Sequence, residues 1–246
     1  MQIRLFLALL SAAAPAAASA QPLDVPPVRY PAVPVEARGA EGFVPAGWAV
    51  VARESGDLNA DGRPDLVLLM QMRDRANILA VPVGDETVAF DTNPHLLAVA
   101  FGHAGGGYRL AASNRGLFLR PIQPFTGEDA LGEETIRIER GGLLVSFGYL
   151  RGHASYRFRW QGGAFRLIGF ESGGASGGCV ETISINYLTR RARVTNAPIS
   201  SDRTPAAWRA VAGPPPPTLS EIDLEEFIPE MEIAGPPLPC PPPADE

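Results

Sequence analysis

The chain reads as a mainly β protein, an antiparallel meander that forms a sandwich or barrel-like domain with one short C-terminal helix. Three observations carry that reading. Short apolar runs recur between clusters of Gly, Asn, Asp and Pro, the punctuation expected of strands joined by turns. Arg140-Gly141-Gly142 and Gln161-Gly162-Gly163 are tight connections that can supply the positive φ of a hairpin turn. Tyr156, Phe158 and Trp160 alternate with Ser155, Arg157 and Arg159, as on a strand with one buried face.

Residues 1–20 carry one positive charge, Arg4, then the apolar run from Leu5 to Leu10, alanines, and the small-residue end Ala18-Ser19-Ala20. This is the pattern of a secretory signal peptide cleaved before Gln21. It predicts a periplasmic or secreted protein. No later stretch has the length of a transmembrane span, and no cysteine follows the apolar run to take a lipid anchor. The net charge is −6, and all 21 basic residues are arginine. An acidic chain without a basic cluster argues against nucleic acid or an anionic membrane as partner. An extracytoplasmic ligand or protein is the expected partner.

Residues 21–42 are dense in proline and lack helical or alternating periodicity, so they predict an extended leader outside the core. Residues 43–200 form the expected β domain. Its predicted strands begin with Trp48 to Ala52, Leu66 to Met70, Ile78 to Val83, Leu96 to Phe101 and Tyr108 to Ala112. They continue with Thr135 to Glu139, Leu143 to Phe147, Tyr156 to Trp160, Phe165 to Phe170, Val180 to Tyr187 and Ala192 to Thr195. The aromatic residues read as core packing, with a ligand-stacking platform as the alternative. Residues 201–246 form a proline-rich tail, in which Thr218-Leu219-Ser220-Glu221 is a capping-box pattern opening a short helix that Pro229 must end. Ile222, Phe227 and Ile228 are placed to dock that helix on the sheet.

The chemistry concentrates in Gly56-Asp57-Leu58-Asn59-Ala60-Asp61-Gly62-Arg63-Pro64-Asp65. Asp57, Asn59, Asp61 and Asp65 supply side-chain oxygens in the spacing of a calcium loop, Gly62 allows the sharp turn, and the carbonyl of Arg63 sits where such loops use main-chain oxygen. The Arg63 side chain is expected to point to solvent. Three carboxylates so close together repel one another unless a hard cation neutralises them. The loop is not an EF-hand, because Leu68 stands where a bidentate glutamate is required and the flanks read as strands. The alternative is a metal-free turn, since Asp, Asn and Gly also favour left-handed turns and bond their own backbone.

The hairpin resembles the calcium-binding hairpin of FG-GAP and VCBS-type repeats, whose pattern D-x-[DN]-x-D-G-x-x-D before an apolar strand is matched at Asp57, Asn59, Asp61, Gly62 and Asp65. The resemblance implies a structural Ca2+ held by Asp57, Asn59, Asp61, Arg63 and Asp65. A single copy is present, whereas a propeller requires several. A wider resemblance, to a group of uncharacterised exported bacterial proteins, rests on this hairpin after Gly47-Trp48, then Gln123-Pro124-Phe125, Arg159-Trp160 and Leu167-Ile168-Gly169.

The two cysteines, Cys179 and Cys240, predict one disulfide in an oxidising compartment, with free thiols or an intermolecular bond as alternatives. Gly174-Ala175-Ser176-Gly177-Gly178 satisfies G-x-S-x-G, and His103 and Asp129 precede it, which makes a secreted serine hydrolase using Ser176 and His103 the competing reading. A nucleophile elbow needs a helix after its serine. Here Cys179 to Ile183 reads as strand, and Ala175 replaces the aspartate of the serine-protease pattern. His95, His103 and His153 lack the partner spacing of zinc helices, and Glu133-Glu134 reads as a solvated pair. A binding or structural module with a calcium-stabilised hairpin is therefore the expected function, with a metal-free envelope protein as a further alternative.

Overall fold

The computed structural model describes residues 23–83, 85–122, 135–149, 151–201 and 204–240. The expected signal peptide, Gln123-Pro124-Phe125, Asp129 and Glu133-Glu134 lie outside them. The described residues are mainly β, and all strand pairs are antiparallel. No helix among them is long and apolar enough to cross a membrane.

One sheet has five strands in the order β1-β7-β6-β3-β2. These are β1 (Glu36–Ala37), β2 (Trp48–Gly56), β3 (Asp65–Met72), β6 (His95–Gly102) and β7 (Tyr108–Asn114), while β4 (Ile78–Val83) and β5 (Glu86–Asp91) form a separate two-stranded ribbon between β3 and β6. The other sheet is a seven-stranded meander in strict chain order. It runs through β8 (Ile136–Glu139), β9 (Gly142–Tyr149), β10 (Gly152–Gln161), β11 (Ala164–Ser176), β12 (Cys179–Asn186), β13 (Arg191–Pro198) and β14 (Ala206–Ala210).

Glycine chemistry sets three of the meander's turns. Arg140-Gly141, Gly162-Gly163 and Gly177-Gly178 each bridge two strands with both residues at positive φ, the two-residue geometry whose twist matches that of the strands.

The two sheets pack face to face. Val67, Leu69, Leu97 and Val99 of the smaller sheet share one core with Ile136, Leu143, Phe158, Phe165, Phe170 and Ile185 of the larger. Aromatic rings run through it in tilted and edge contacts, Phe147 to Tyr156 at 5.9 Å and Tyr156 to Phe170 at 5.0 Å between centroids. The aromatic face of β10 therefore packs into the core.

The unbroken apolar runs Leu66–Met70 and Leu96–Ala100 need a second explanation, because alternate residues of a strand point to opposite faces. Leu66, Leu68, Met70, Leu96, Ala98 and Ala100 face away from the first core and form a second one with Ala40, Phe43 and Trp48. Tyr30, Val33 and Ala37 pack against it. The proline-rich leader is thus not outside the core. It covers the outer face of the small sheet, adds β1 to its edge, and accepts a hydrogen bond at the Pro26 carbonyl from Arg120 Nη1 at 2.6 Å.

The expected C-terminal helix is replaced by isolated turns. Half of the capping box forms, with the Thr218 amide and hydroxyl donating to Glu221 Oε2 at 3.0 and 2.8 Å while the Glu221 amide donates to the Thr218 carbonyl rather than to its hydroxyl. The helix does not propagate beyond it, because the chain is spent on tertiary contacts. Leu219 and Ile222 enter the core, Asn114 Nδ2 donates to the Ile222 carbonyl, and the Leu224 amide donates to the Gly116 carbonyl. Phe227 packs at the margin, and Ile228 is 48% exposed rather than docked. Pro229 opens a 3-10 turn, Pro229–Glu232, a first position where its missing N–H costs nothing.

Candidate functional site

The β2–β3 connection carries the candidate metal loop. It lies where the edges of the two sheets approach, since β2 packs beside β8 and a side chain at Gly56 would meet Ile138 at 2.9 Å. Gly62 has φ +79 and Ala60 φ +61, so two residues of the loop are left-handed, one of them without glycine's freedom.

Side-chain oxygens fold inward on this turn. Asp57 Oδ1 and Asn59 Oδ1 accept from the same amide, that of Asp61, at 3.2 and 3.0 Å. Asp57 Oδ2 accepts from the Gly62 amide at 2.9 Å, and Asp61 Oδ1 from the Arg63 amide at 2.9 Å. Asn59 Nδ2 donates to Asp61 Oδ2 at 3.1 Å. The first three predicted ligands are therefore brought together around one stretch of backbone.

Asp65 is separate in character. It is fully buried, with Oδ2 accepting from the Leu58 amide at 2.7 Å and Oδ1 from the Gly102 amide at 3.0 Å. It ties the loop to the end of β6, an approach so close that a side chain at Gly102 would stand 2.5 Å from the Pro64 carbonyl oxygen. Burial raises the Asp65 pKa above the usual carboxylate value; the two amides oppose the rise, and the charges of Asp61 and Asp57 add to it. Asp61 is shifted the other way, chiefly by the hydrogen bond from the Arg63 amide.

The Arg63 side chain is exposed, as expected, but folds back along the loop. Its Nη2 meets Asp61 Oδ2 at 2.8 Å and its Nε donates to the Gly102 carbonyl at 3.3 Å, so its guanidinium partly neutralises the loop from within the chain. The contact with Gly102 depends on a strand 39 residues away and lies beyond what sequence spacing can show.

The donor set is all hard oxygen, the chemistry calcium takes. A carboxylate oxygen that accepts one amide keeps a second lone pair, so the hydrogen bonds to Asp57, Asp61 and Asp65 leave acceptor capacity. Among the described residues no group of three or more His, Cys, Asp or Glu side chains forms a metal cluster. The loop's own donor set relies on an asparagine and a main-chain carbonyl as well as carboxylates.

The residues of the hydrolase reading are distributed differently. Ser176 ends β11 and leads through Gly177-Gly178 directly into β12, a strand-to-strand turn. His103 lies in the β6–β7 connection of the other sheet, with its amide bonded to the Gly107 carbonyl at 3.3 Å. Among the described residues no hydrogen bond links Ser176 to a histidine. Asp129 lies outside them. His95 is buried in β6, and its imidazole pKa is lowered to about 4 by burial.

Cys179 and Cys240 are bridged, with Cα atoms 6.3 Å apart and a sequence separation of 61. The bond fastens the tail to the start of β12. The tail is also held by Asn196 Nδ2 donating to the Leu238 carbonyl at 2.9 Å and by the Ala212 and Ala234 amides donating across to the Glu232 and Ala210 carbonyls. Comparison of the chain with protein-family models, curated proteins and solved structures finds no match.

Proposed function

We propose that the 57–65 hairpin is a calcium site of the FG-GAP and VCBS kind, and that the protein is an exported binding or structural module which the cation stabilises. The observation that carries this reading is the convergence of Asp57, Asn59 and Asp61 on the Asp61–Arg63 backbone, with the buried Asp65 beside them. Among the described residues, the three carboxylates of this loop have one ion pair to balance them, Arg63 with Asp61. Asp57, Asn59, Asp61, the Arg63 carbonyl and Asp65 would hold the ion, which would supply charge neutralisation and no chemical step.

The site's place in the fold supports a structural role. Asp65 joins the loop to β6, and Gly56 packs on the second sheet, so ordering this loop braces the corner where the sheets meet. Binding to the folded hairpin alone at a hundred times the dissociation constant adds about 2.7 kcal/mol of stability. Titration calorimetry on the mature protein should give one calcium site that Asp61→Ala abolishes. No heat of binding at millimolar calcium in folded protein would leave the hairpin as a plain turn.

A further inference from the structure

A cleft of about 790 Å3 lies at the far end of the seven-stranded sheet, away from the calcium-type hairpin. Strand register explains why it exists. Gly152 of β10 is paired with Gly174 of β11, which faces Glu181 of β12, which faces Asn196 of β13. The next row on the same face runs Ala154, Ser172 and Ile183. Two rows that begin with glycine and alanine leave a depression in the sheet. The glycine is required there, because a side chain at Gly152 would come within 2.5 Å of the Gly173 carbonyl oxygen. The buried rings of Tyr156 and Phe170 also line it, and the disulfide-tethered tail contributes Glu230 and Cys240.

The two carboxylates of this cleft, Glu181 and Glu230, are half-buried, whereas the one guanidinium that lines it, Arg151, is exposed. Glu230 Oε1 accepts only the Ser172 hydroxyl, at 3.1 Å, and neither Glu230 nor Glu181 makes an ion pair among the described residues. Asn196 Oδ1 is buried without a partner among the described residues, while its Nδ2 is committed to the tail. His153 also lines the cleft and is exposed. Carboxylates beside buried apolar side chains are suited to a ligand with a positive charge, N–H donors and an apolar body.

We propose that this cleft binds an organic amine, its ammonium group taken by Glu181 and Glu230 and its apolar part lying against Tyr156 and Phe170. The site is independent of the calcium reading. It is tested with three ligands of one size and different charge, namely benzylamine, benzyl alcohol and benzoate, titrated by calorimetry into the full mature chain.

Benzylamine should bind more tightly than benzyl alcohol, and benzoate should show no binding. Glu181→Gln and Glu230→Gln should each weaken benzylamine about fivefold, the scale of a part-exposed ion pair, with melting curves checking that both variants are folded. Asp61→Ala should leave benzylamine binding unchanged. Equal affinity for the amine and the alcohol, a preference for benzoate, or no binding by any of the three would overturn the proposal, and the wild-type series alone can do so.

Discussion

Acidification should destabilise this fold through His95, and the size of the effect follows from its surroundings. The imidazole is 4% exposed, its Nδ1 has no hydrogen-bond partner among the described residues, and its ring lies 6.0 Å from that of Phe118. Burial, with a smaller push from Arg73 against the pull of Asp91, lowers its pKa from 6.5 to about 4. The unfolded chain therefore takes up a proton near pH 6.5 that the folded chain refuses. The stabilisation from a neutral His95 is complete above that pH and is lost as pH falls towards 4. A shift of this size corresponds to about 3 kcal/mol, of which roughly 2.5 kcal/mol is gone by pH 4.5. Urea unfolding in chelator at pH 7.5 and 4.5, for the native chain and His95→Gln, isolates this contribution from the carboxylates. The stability difference between the two proteins should move by roughly 2.5 kcal/mol in favour of the glutamine variant as pH falls. A constant difference across that range would refute the reasoning, as would an NMR titration placing the His95 pKa near 6.5.

Replacing Cys179 and Cys240 together by serine should cost up to about 4 kcal/mol, the chain-entropy value for a bridge spanning 61 residues. Urea unfolding of oxidised protein against the double variant measures it, and equal midpoints would mean that the tail is held by its other contacts alone. Phe43→Ala should lose about 3–5 kcal/mol, because the ring is fully buried between the leader and the small sheet. A loss below 1 kcal/mol in the same assay would show that the Phe43 ring does not anchor that core. Arg63→Gln should tighten calcium binding in calorimetry, since it removes the guanidinium that competes for Asp61 Oδ2 and keeps the carbonyl ligand. Weaker binding in that variant would mean that Arg63 organises the loop rather than competing for it.

The meander was legible because its signals are local. Alternation in β10 and the turns at Arg140-Gly141 and Gly162-Gly163 set strand, face and turn without reference to distant residues. The leader's place was hidden for the opposite reason. Proline spacing describes a segment that cannot form a helix, but it does not say that Leu66, Leu68 and Met70 leave an apolar face needing cover. The unbroken run in β3 was the available clue. The tail helix failed because capping-box chemistry fixes only the first turn, and the contacts of Ile222 and Leu224 with Asn114 and Gly116 then set the path. β14 went unread because Ala206–Ala210 has an exposed Trp208 stacked by Arg191 rather than an apolar stripe. In the candidate loop the ligand spacing was readable. The contacts of Arg63 and Asp65 with Gly102 were not, since they depend on β6.

The central claim is that a cation completes the Asp57–Asp65 hairpin, and the most direct measurement is the melting temperature of the mature protein in chelator and in excess calcium. The account predicts a rise of about 5–10 °C with calcium, from about 2.7 kcal/mol at a hundredfold excess over the dissociation constant. Magnesium should give much less, because a flexible oxygen loop suits calcium better than a strict octahedron. Asp61→Ala should melt at the same temperature in either buffer. Identical curves in chelator and calcium for the unmutated chain would contradict the account.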